Sequence, residues 1–275
     1  MNRATKTKEI GIVGAGNVGE ALAKRLVELG YPVKVANSRG AESLREFAGR
    51  TGAKAVNLTE VSSDVDILII AIPLQKVRDL PESLISSLPQ GSVVVDTGNY
   101  IPQLNGVIEE IEQGLPETAW VSGQLGVPVV KAFNSLTAFS LANGGTPKSA
   151  ANRIALPVAG DDAGARAVVM ELVEELGFTA FDAGPLAESW RQQPGQPAYA
   201  TDPTGKELLI LLGRADRKAA AGKRDQAMQI MAKLPPNYPV PDLVRAGRFT
   251  NGLDRLSPRT WLAMLRLGFA LRSRH

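Results

Sequence analysis

Ile10-Gly11-Ile12-Val13-Gly14-Ala15-Gly16-Asn17-Val18-Gly19 is the stretch on which the fold turns. Its first four residues read as a short buried strand. A turn with glycines spaced GxGxxG follows at once. A helix then opens, with an apolar face of Val18, Leu22, Leu26 and Leu29, and stops at Gly30. Strand, glycine turn and helix in this order form the context in which such spacing holds a dinucleotide pyrophosphate. Gly14 permits the tight turn. Gly16 lacks a Cβ, so a phosphate can approach the backbone. Gly19 lets the helix pack closely on the strand. The amides of Asn17 and Val18, at the start of the helix, can meet negative charge. The bland alternative is an ordinary glycine-rich turn. Against it stands a second strand, Pro32-Val33-Lys34-Val35-Ala36, at the distance a βαβ unit requires.

The end of that second strand selects the nucleotide. An NAD-binding chain places Asp or Glu there to bind the ribose 2′-hydroxyl. Here the residues are Asn37-Ser38-Arg39-Gly40. No carboxylate repels a 2′-phosphate. Ser38 can donate a hydroxyl hydrogen bond, and Arg39 can fork onto the phosphate and lay its plane on the adenine. NADP(H) is therefore the expected nucleotide, the alternative being an exposed loop arginine.

Further along, strands and helices alternate. Residues 41–49 read as a short helix and 53–56 as a third strand. Residues 66–72 form a fully apolar central strand that stops at Pro73, and 74–88 supply a helix. Residues 92–96 and 129–133 are two more strands. Residues 156–159 and 179–182 are a further pair, separated by a helix over 163–176. Alternation of this kind predicts an α/β fold, a Rossmann-type doubly wound and mostly parallel sheet, with a smaller helical C-terminal region. The expected division is a nucleotide-binding domain over 1–185 and a helical domain over 186–275. Residues 190–197 read as a polar, turn-rich loop. Helices are expected at 207–221, 225–234 and 258–271, with Pro235-Pro236 and Pro239-Val240-Pro241 between them.

Composition bounds the chemistry. The 275 residues contain no cysteine, which excludes disulfides and thiolate catalysis. The sole histidine is His275. No metal site is expected. No secretory apolar segment opens the chain and no apolar run is long enough to span a bilayer, so a cytoplasmic protein without membrane contact is expected. Charge is uneven: residues 201–275 carry a net +8 and residues 1–200 a net −5. A solvated basic helix surface is the favoured reading of that excess, since no nucleic-acid-binding motif is present.

Ligands in such sheets lie at the carboxyl ends of the strands. That places Ala71, Ile72 and Pro73 beside the nicotinamide half of the cofactor, with Asp96-Thr97-Gly98-Asn99 and Phe133-Asn134 on the same edge. Oxidation of an alcohol or hydroxy acid needs a proton acceptor. Lys131 is the remaining candidate, although a strand-end lysine that is solvated or touches phosphate is the simpler reading. Hydride passing between two redox rings needs chiefly proximity and alignment, and suits a site without His or Cys.

Gly14 to Gly19, Asn37-Ser38-Arg39-Gly40, Ala71-Ile72-Pro73, Val130-Lys131-Ala132-Phe133-Asn134 and Asp182-Ala183-Gly184-Pro185-Leu186 occur in an order that resembles the NADPH:deazaflavin oxidoreductase family. The resemblance covers roughly the first two thirds of the chain, one domain's length. It implies hydride exchange between NADP(H) and a deazaflavin coenzyme or a flavin as second substrate. It also implies that Ser38 and Arg39 bind the 2′-phosphate and that Ile72 and Pro73 line the nicotinamide site. The chain departs from short family members in its C-terminal extension and in the loop from Trp190 to Tyr199. Asn134 and Trp190 are candidate substrate contacts, and Trp190 or Tyr199 can cover a planar ring or pack between domains. Two alternatives stand beside this reading. One is a dehydrogenase or reductase of a small hydroxy acid, carbonyl or imine with Lys131 as acid/base. The other is a non-enzymatic NADPH-sensing protein. The expected partner is a small-molecule redox acceptor, and by analogy the chain forms a homodimer.

Overall fold

A computed structural model describes residues 6–272. His275 lies outside the described residues. Six parallel strands form the main sheet: β1 (Ile10–Val13), β2 (Val33–Ala36), β3 (Lys54–Ala55), β4 (Ile67–Ile70), β5 (Val93–Asp96) and β6 (Val129–Lys131). Their order is β3-β2-β1-β4-β5-β6, which puts the topological reversal between β1 and β4. Register is in phase across the centre, with Ile10 opposite both Val33 and Ile67.

Every residue of β1 and β4 is buried, as strands covered on both faces must be. Alternation sorts them between two cores. Ile10, Ile12, Ile67 and Ile69 pack with Leu22 and Leu26 of α1 (Asn17–Glu28). Val13, Leu68 and Ile70 face the opposite way, against Leu74, Tyr100 and Trp120. The period of two along a strand produces this split.

The remaining elements are α2 (Arg45–Thr51), α3 (Glu82–Ser86), α4 (Pro102–Asn105), α5 (Glu109–Glu112), α6 (Glu117–Leu125), α7 (Ala138–Asn143), β7 (Ala155–Val158), α8 (Ala163–Glu175), β8 (Thr179–Asp182), α9 (Gly205–Gly213), α10 (Arg217–Ala232), α11 (Val240–Thr250) and α12 (Pro258–Arg272). No described helix is long and apolar enough to cross a membrane.

Several local expectations are corrected. The last two strands, whose sheet the sequence left open, form their own parallel pair beside the six-stranded sheet. That pair is stitched to β6 where the Lys131 amide donates to the Ala159 carbonyl at 2.7 Å and the Ala159 amide donates back at 3.0 Å. The bridge is antiparallel, so the carboxyl ends of β6 and β7 meet. Residues 74–88 are not one helix, because Pro81 divides a 3₁₀ turn from α3. The helical boundary expected near 221 lies instead at Arg214–Asp216. Asp216 caps α10 by accepting from the amides of Lys218 and Ala219. Thr204 and Glu207 form a capping box on α9. Pro239-Val240-Pro241 does not separate helices. It opens α11, where proline at the first turn costs no hydrogen bond.

Candidate functional site

The candidate site begins at the glycine turn. Gly14 has φ 116°, a conformation side chains avoid, and a Cβ on it would sit 2.2 Å from the Ala71 carbonyl oxygen. A Cβ on Gly19 would sit 2.1 Å from the Gly14 carbonyl oxygen, so α1 packs against the turn itself. Gly16 differs: a Cβ there meets nothing within 4 Å. The space in front of it is open. Gly16 also caps α1 without any side-chain hydrogen bond, which leaves first-turn amides free for an external anion. Gly16 and Asn17 are exposed, whereas Gly19 is buried.

The second motif is a built loop. Asn37 Oδ1 accepts from the Arg39 amide at 2.8 Å, and Asn37 Nδ2 donates to Ser43 Oγ at 3.0 Å. Ser43 Oγ in turn donates to the Gly40 carbonyl at 2.8 Å. Asn37 thereby shapes the turn, while Ser38 and Arg39 stand exposed on it. Sequence reading missed Ser43, whose role depends on a fold-back of six residues. The Arg39 guanidinium has no ion pair or hydrogen bond among the described residues. The glycine turn with open space at Gly16, the uncapped helix start and this unpaired arginine fit a dinucleotide carrying a 2′-phosphate.

Ala71 follows β4, its amide bonded to Val13 O at 2.8 Å, and Ile72 and Pro73 continue the chain beyond the strand's carboxyl end. The neighbouring loop after β5 rests on buried charge. Asp96 Oδ1 accepts from the Gly98 amide at 2.8 Å, and Asp96 Oδ2 accepts from Thr118 Oγ1 at 2.6 Å. Lys131 is 0% exposed and pairs with Glu117 at 2.9 Å. Its Nζ also donates to Thr118 Oγ1 at 3.2 Å and to the Gly98 carbonyl at 3.4 Å. Glu117 Oε1 accepts from the Tyr100 amide at 3.1 Å. Burial pushes the Glu117 carboxyl up, and the Lys131 ammonium pulls against it. Lys131 is thus an anchor beneath residues 98–100, sealed from solvent, and its Nζ is already spoken for.

Above that floor three amide side chains interlock. Asn99 Nδ2 donates to the Asn134 carbonyl at 3.0 Å, and Asn134 Nδ2 donates to Asn99 Oδ1 at 3.2 Å. Asn134 Nδ2 also donates to the Gln192 carbonyl at 2.9 Å, and Gln192 Nε2 donates to Asn134 Oδ1 at 3.1 Å. Phe133 is buried with φ 65°, an uncommon conformation for a bulky residue and one that collects at functional sites. Gln192 closes a 3₁₀ helix over Leu186–Gln192, so the stretch read as a polar loop is partly helical and partly buried. Nothing in its composition marks it, because glutamines beside prolines read as surface. Trp190 is flanked by the guanidinium groups of Arg191 and Arg217, at 4.7 and 4.8 Å from its ring centre. The Tyr199 phenol is pushed well above its ordinary range by burial.

The sheet order and the glycine turn define a Rossmann-type fold. The family model for NADP oxidoreductase, coenzyme F420-dependent, matches residues 9–100. The chain is 34% identical to a hypothetical protein from Sinorhizobium meliloti of known structure, covering 70% of this chain and 93% of that one at a TM-score of 0.60. An Arthrobacter structure described as an F420-dependent NADP-reductase shares the fold at 20% identity and a TM-score of 0.52, over 66% of this chain and 87% of that one. Rat metalloreductase STEAP3 is 29% identical over 66% of this chain and 35% of its own. The chain spans well under half the length of the first curated relatives it matches. Residues 9–100, about a third of the chain, thus carry the match to the coenzyme F420-dependent NADP oxidoreductase family.

Variants at the glycine turn separate fold from binding. Gly16→Ala adds its Cβ into open space at a φ of −81°, which alanine adopts freely. Its thermal stability should match the parent within about 1 kcal/mol, while nucleotide affinity falls at least about tenfold. Titration of nucleotide fluorescence together with a melting curve reads both. Equal affinity in the two proteins would remove Gly16 from the phosphate site.

Proposed function

We propose that the protein transfers hydride between NADP(H) and a deazaflavin or flavin-like ring. Support comes from one arrangement. The residues lining the carboxyl ends of β4, β5 and β6 from Ala71 to Pro73, from Thr97 to Asn99 and at Phe133 and Asn134 carry no titratable side chain. They offer amides, apolar surface and backbone, which position rings but move no protons. Bound NADPH supplies a hydride from its nicotinamide ring. Gly14, Gly16, Asn17, Val18 and Gly19 hold the pyrophosphate, and Ser38 and Arg39 hold the 2′-phosphate on the turn that Asn37 shapes. Ala71, Ile72 and Pro73 line the nicotinamide pocket with Asn99, and Asn134 borders the acceptor. NADPH, the oxidised ring and one solvent proton give NADP⁺ and the dihydro ring.

A dehydrogenase that uses Lys131 as acid/base is disfavoured on this reading, because that ammonium is buried and paired. Part of the same proposal is a division into a nucleotide-binding unit over 1–185 and a helical unit over 186–275. So are a homodimeric assembly and a cytoplasmic location. The test is the visible absorbance of a deazaflavin coenzyme mixed with the protein and NADPH. Rapid bleaching supports the reading. Tight NADPH binding without turnover on deazaflavins, flavins, quinones or carbonyl compounds would turn it toward an NADPH sensor.

A further inference from the structure

α10 buries one of its sixteen residues, and that one is Arg224, 8% exposed. Apolar burial does not hold such a helix; polar contacts do. Arg217, Ala220 and Arg224 are spaced three and four apart, so they share one face. That face touches two segments far apart in sequence. At its start the Arg217 guanidinium lies 4.8 Å from the Trp190 ring centre, and the capping residue Asp216 exchanges hydrogen bonds with Gln196. One turn on, the helix backbone packs on Gly195, where a Cβ would sit 2.1 Å from the Ala220 carbonyl oxygen at a φ of 87°. A further turn brings the Arg224 guanidinium over the Tyr100 ring, 5.1 Å from its centre. Arg224 also donates to Glu112 at 3.2 Å and to Asp225 at 2.9 Å, and Gln103 Nε2 donates to Asp225 Oδ1 at 3.0 Å.

Both segments lead to the amide cluster. Tyr100, 1% exposed, follows Asn99, which bonds Asn134 from one side. Gly195 and Gln196 follow Gln192, which bonds Asn134 from the other. Glu117 holds Tyr100 by its amide. Its ring is held separately, by the Ile108 amide donating to the hydroxyl at 3.1 Å and by the Arg224 guanidinium over the face. A buried guanidinium persists only where partners replace its lost water. Here they are two carboxylates and an aromatic face.

We infer that α10 clamps the acceptor side of the site, and that Arg224 is a positioning residue that fixes Asn99 through the Tyr100 ring. This rests on the hydride-transfer reading and deepens it by giving a basic C-terminal helix a part in aligning the two rings. The proposed pyrophosphate and 2′-phosphate contacts lie on other elements, the glycine turn before α1 and the turn after β2. Nucleotide affinity is therefore independent of the clamp. Ring alignment is not, and a misplacement of about 1 Å can cost on the order of a hundredfold in rate.

The test compares Arg224→Met and Arg224→Lys with the parent protein. It reads NADPH affinity by fluorescence, the thermal midpoint, and the bleaching rate of 5-deazariboflavin at saturating NADPH and acceptor. Glu112 and Asp225 are 37% and 38% exposed, so water replaces the guanidinium and Arg224→Met should fold. It should bind NADPH within about twofold of the parent, yet reduce the ring at least about tenfold more slowly. Arg224→Lys keeps a cation beside Tyr100 but loses the planar fork, and should recover part of the rate. An unchanged rate in Arg224→Met overturns the inference and leaves hydride transfer standing. Loss of folding or of NADPH affinity in step with the rate also overturns it, by making Arg224 a general support of the fold. NADPH binding by the parent without reduction of any ring overturns the hydride-transfer reading and the inference together.

Discussion

Lys131→Met should destabilise the protein by about 3–5 kcal/mol, the usual cost of leaving a buried charge without its partner. Glu117 is 3% exposed, and Lys131 provides its only ion pair among the described residues. With the ammonium gone, the carboxyl is favoured only in its neutral form. Its folded pKa then rises further above the ordinary 4.5. Below that value both folded and unfolded states hold the proton, and the deficit is smallest. As pH rises the unfolded chain ionises first, so stability falls toward the raised folded pKa. Denaturant midpoints across that range measure it. A double change, Lys131→Met with Glu117→Leu, should recover most of the loss. It still removes the acceptor of the Tyr100 amide, so the loop over 98–100 should stay looser than in the parent. A single-variant loss under about 1 kcal/mol would mean that the pair does not hold this loop.

Arg39→Ala should weaken NADPH binding by about 2–3 kcal/mol while NADH binding changes little. The guanidinium has no partner among the described residues, so its removal should leave stability unchanged within about 0.5 kcal/mol. That separates it from Lys131, whose loss is felt first in the fold. Arg39→Lys should recover only part of the affinity, because an ammonium keeps the charge but loses the planar fork. Equal weakening of both nucleotides would refute the assignment of Arg39 to the 2′-phosphate.

The glycine turn was legible in sequence because each glycine answers a local demand. Gly14 needs a positive φ, Gly19 a missing Cβ, and both follow from a strand running straight into a helix. Asn37-Ser38-Arg39 was legible by position, since it ends the strand after α1. The sheet partners of β7 and β8 were not. Hydrophobic period distinguishes faces, not which sheet a strand joins, and the antiparallel bridge to β6 has no local signature. Glu117 was hidden for a related reason. An acid after Pro116 reads as an exposed first-turn residue, and only the β5–β6 packing buries it against Lys131. Gln192 was hidden by its company. Residues 190–197 look solvated, and their burial follows from contacts made by distant elements, including the mutual hydrogen bonds of Gln196 and Asp216 at 3.0 and 3.2 Å.

The Lys131 cluster and the amide cluster divide the labour at one edge of the sheet. The first holds the loop after β5 from below through buried charge. The second ties that loop to the end of β6 and to the 3₁₀ turn at Gln192. Neither contributes a proton donor at the candidate site. On the proposed hydride-transfer reading, rate would come from fixing two rings against each other and excluding water, with the rings doing the chemistry.

The most direct test uses NADPH deuterated at the transferable position of nicotinamide C4, the oxidised deazaflavin ring and ordinary water. Mass spectrometry of the reduced ring reads the outcome. Direct hydride transfer predicts one deuterium retained in the product, with little reaction when NADH replaces NADPH. A reduced ring without deuterium, or equal rates with both nucleotides, would contradict the account.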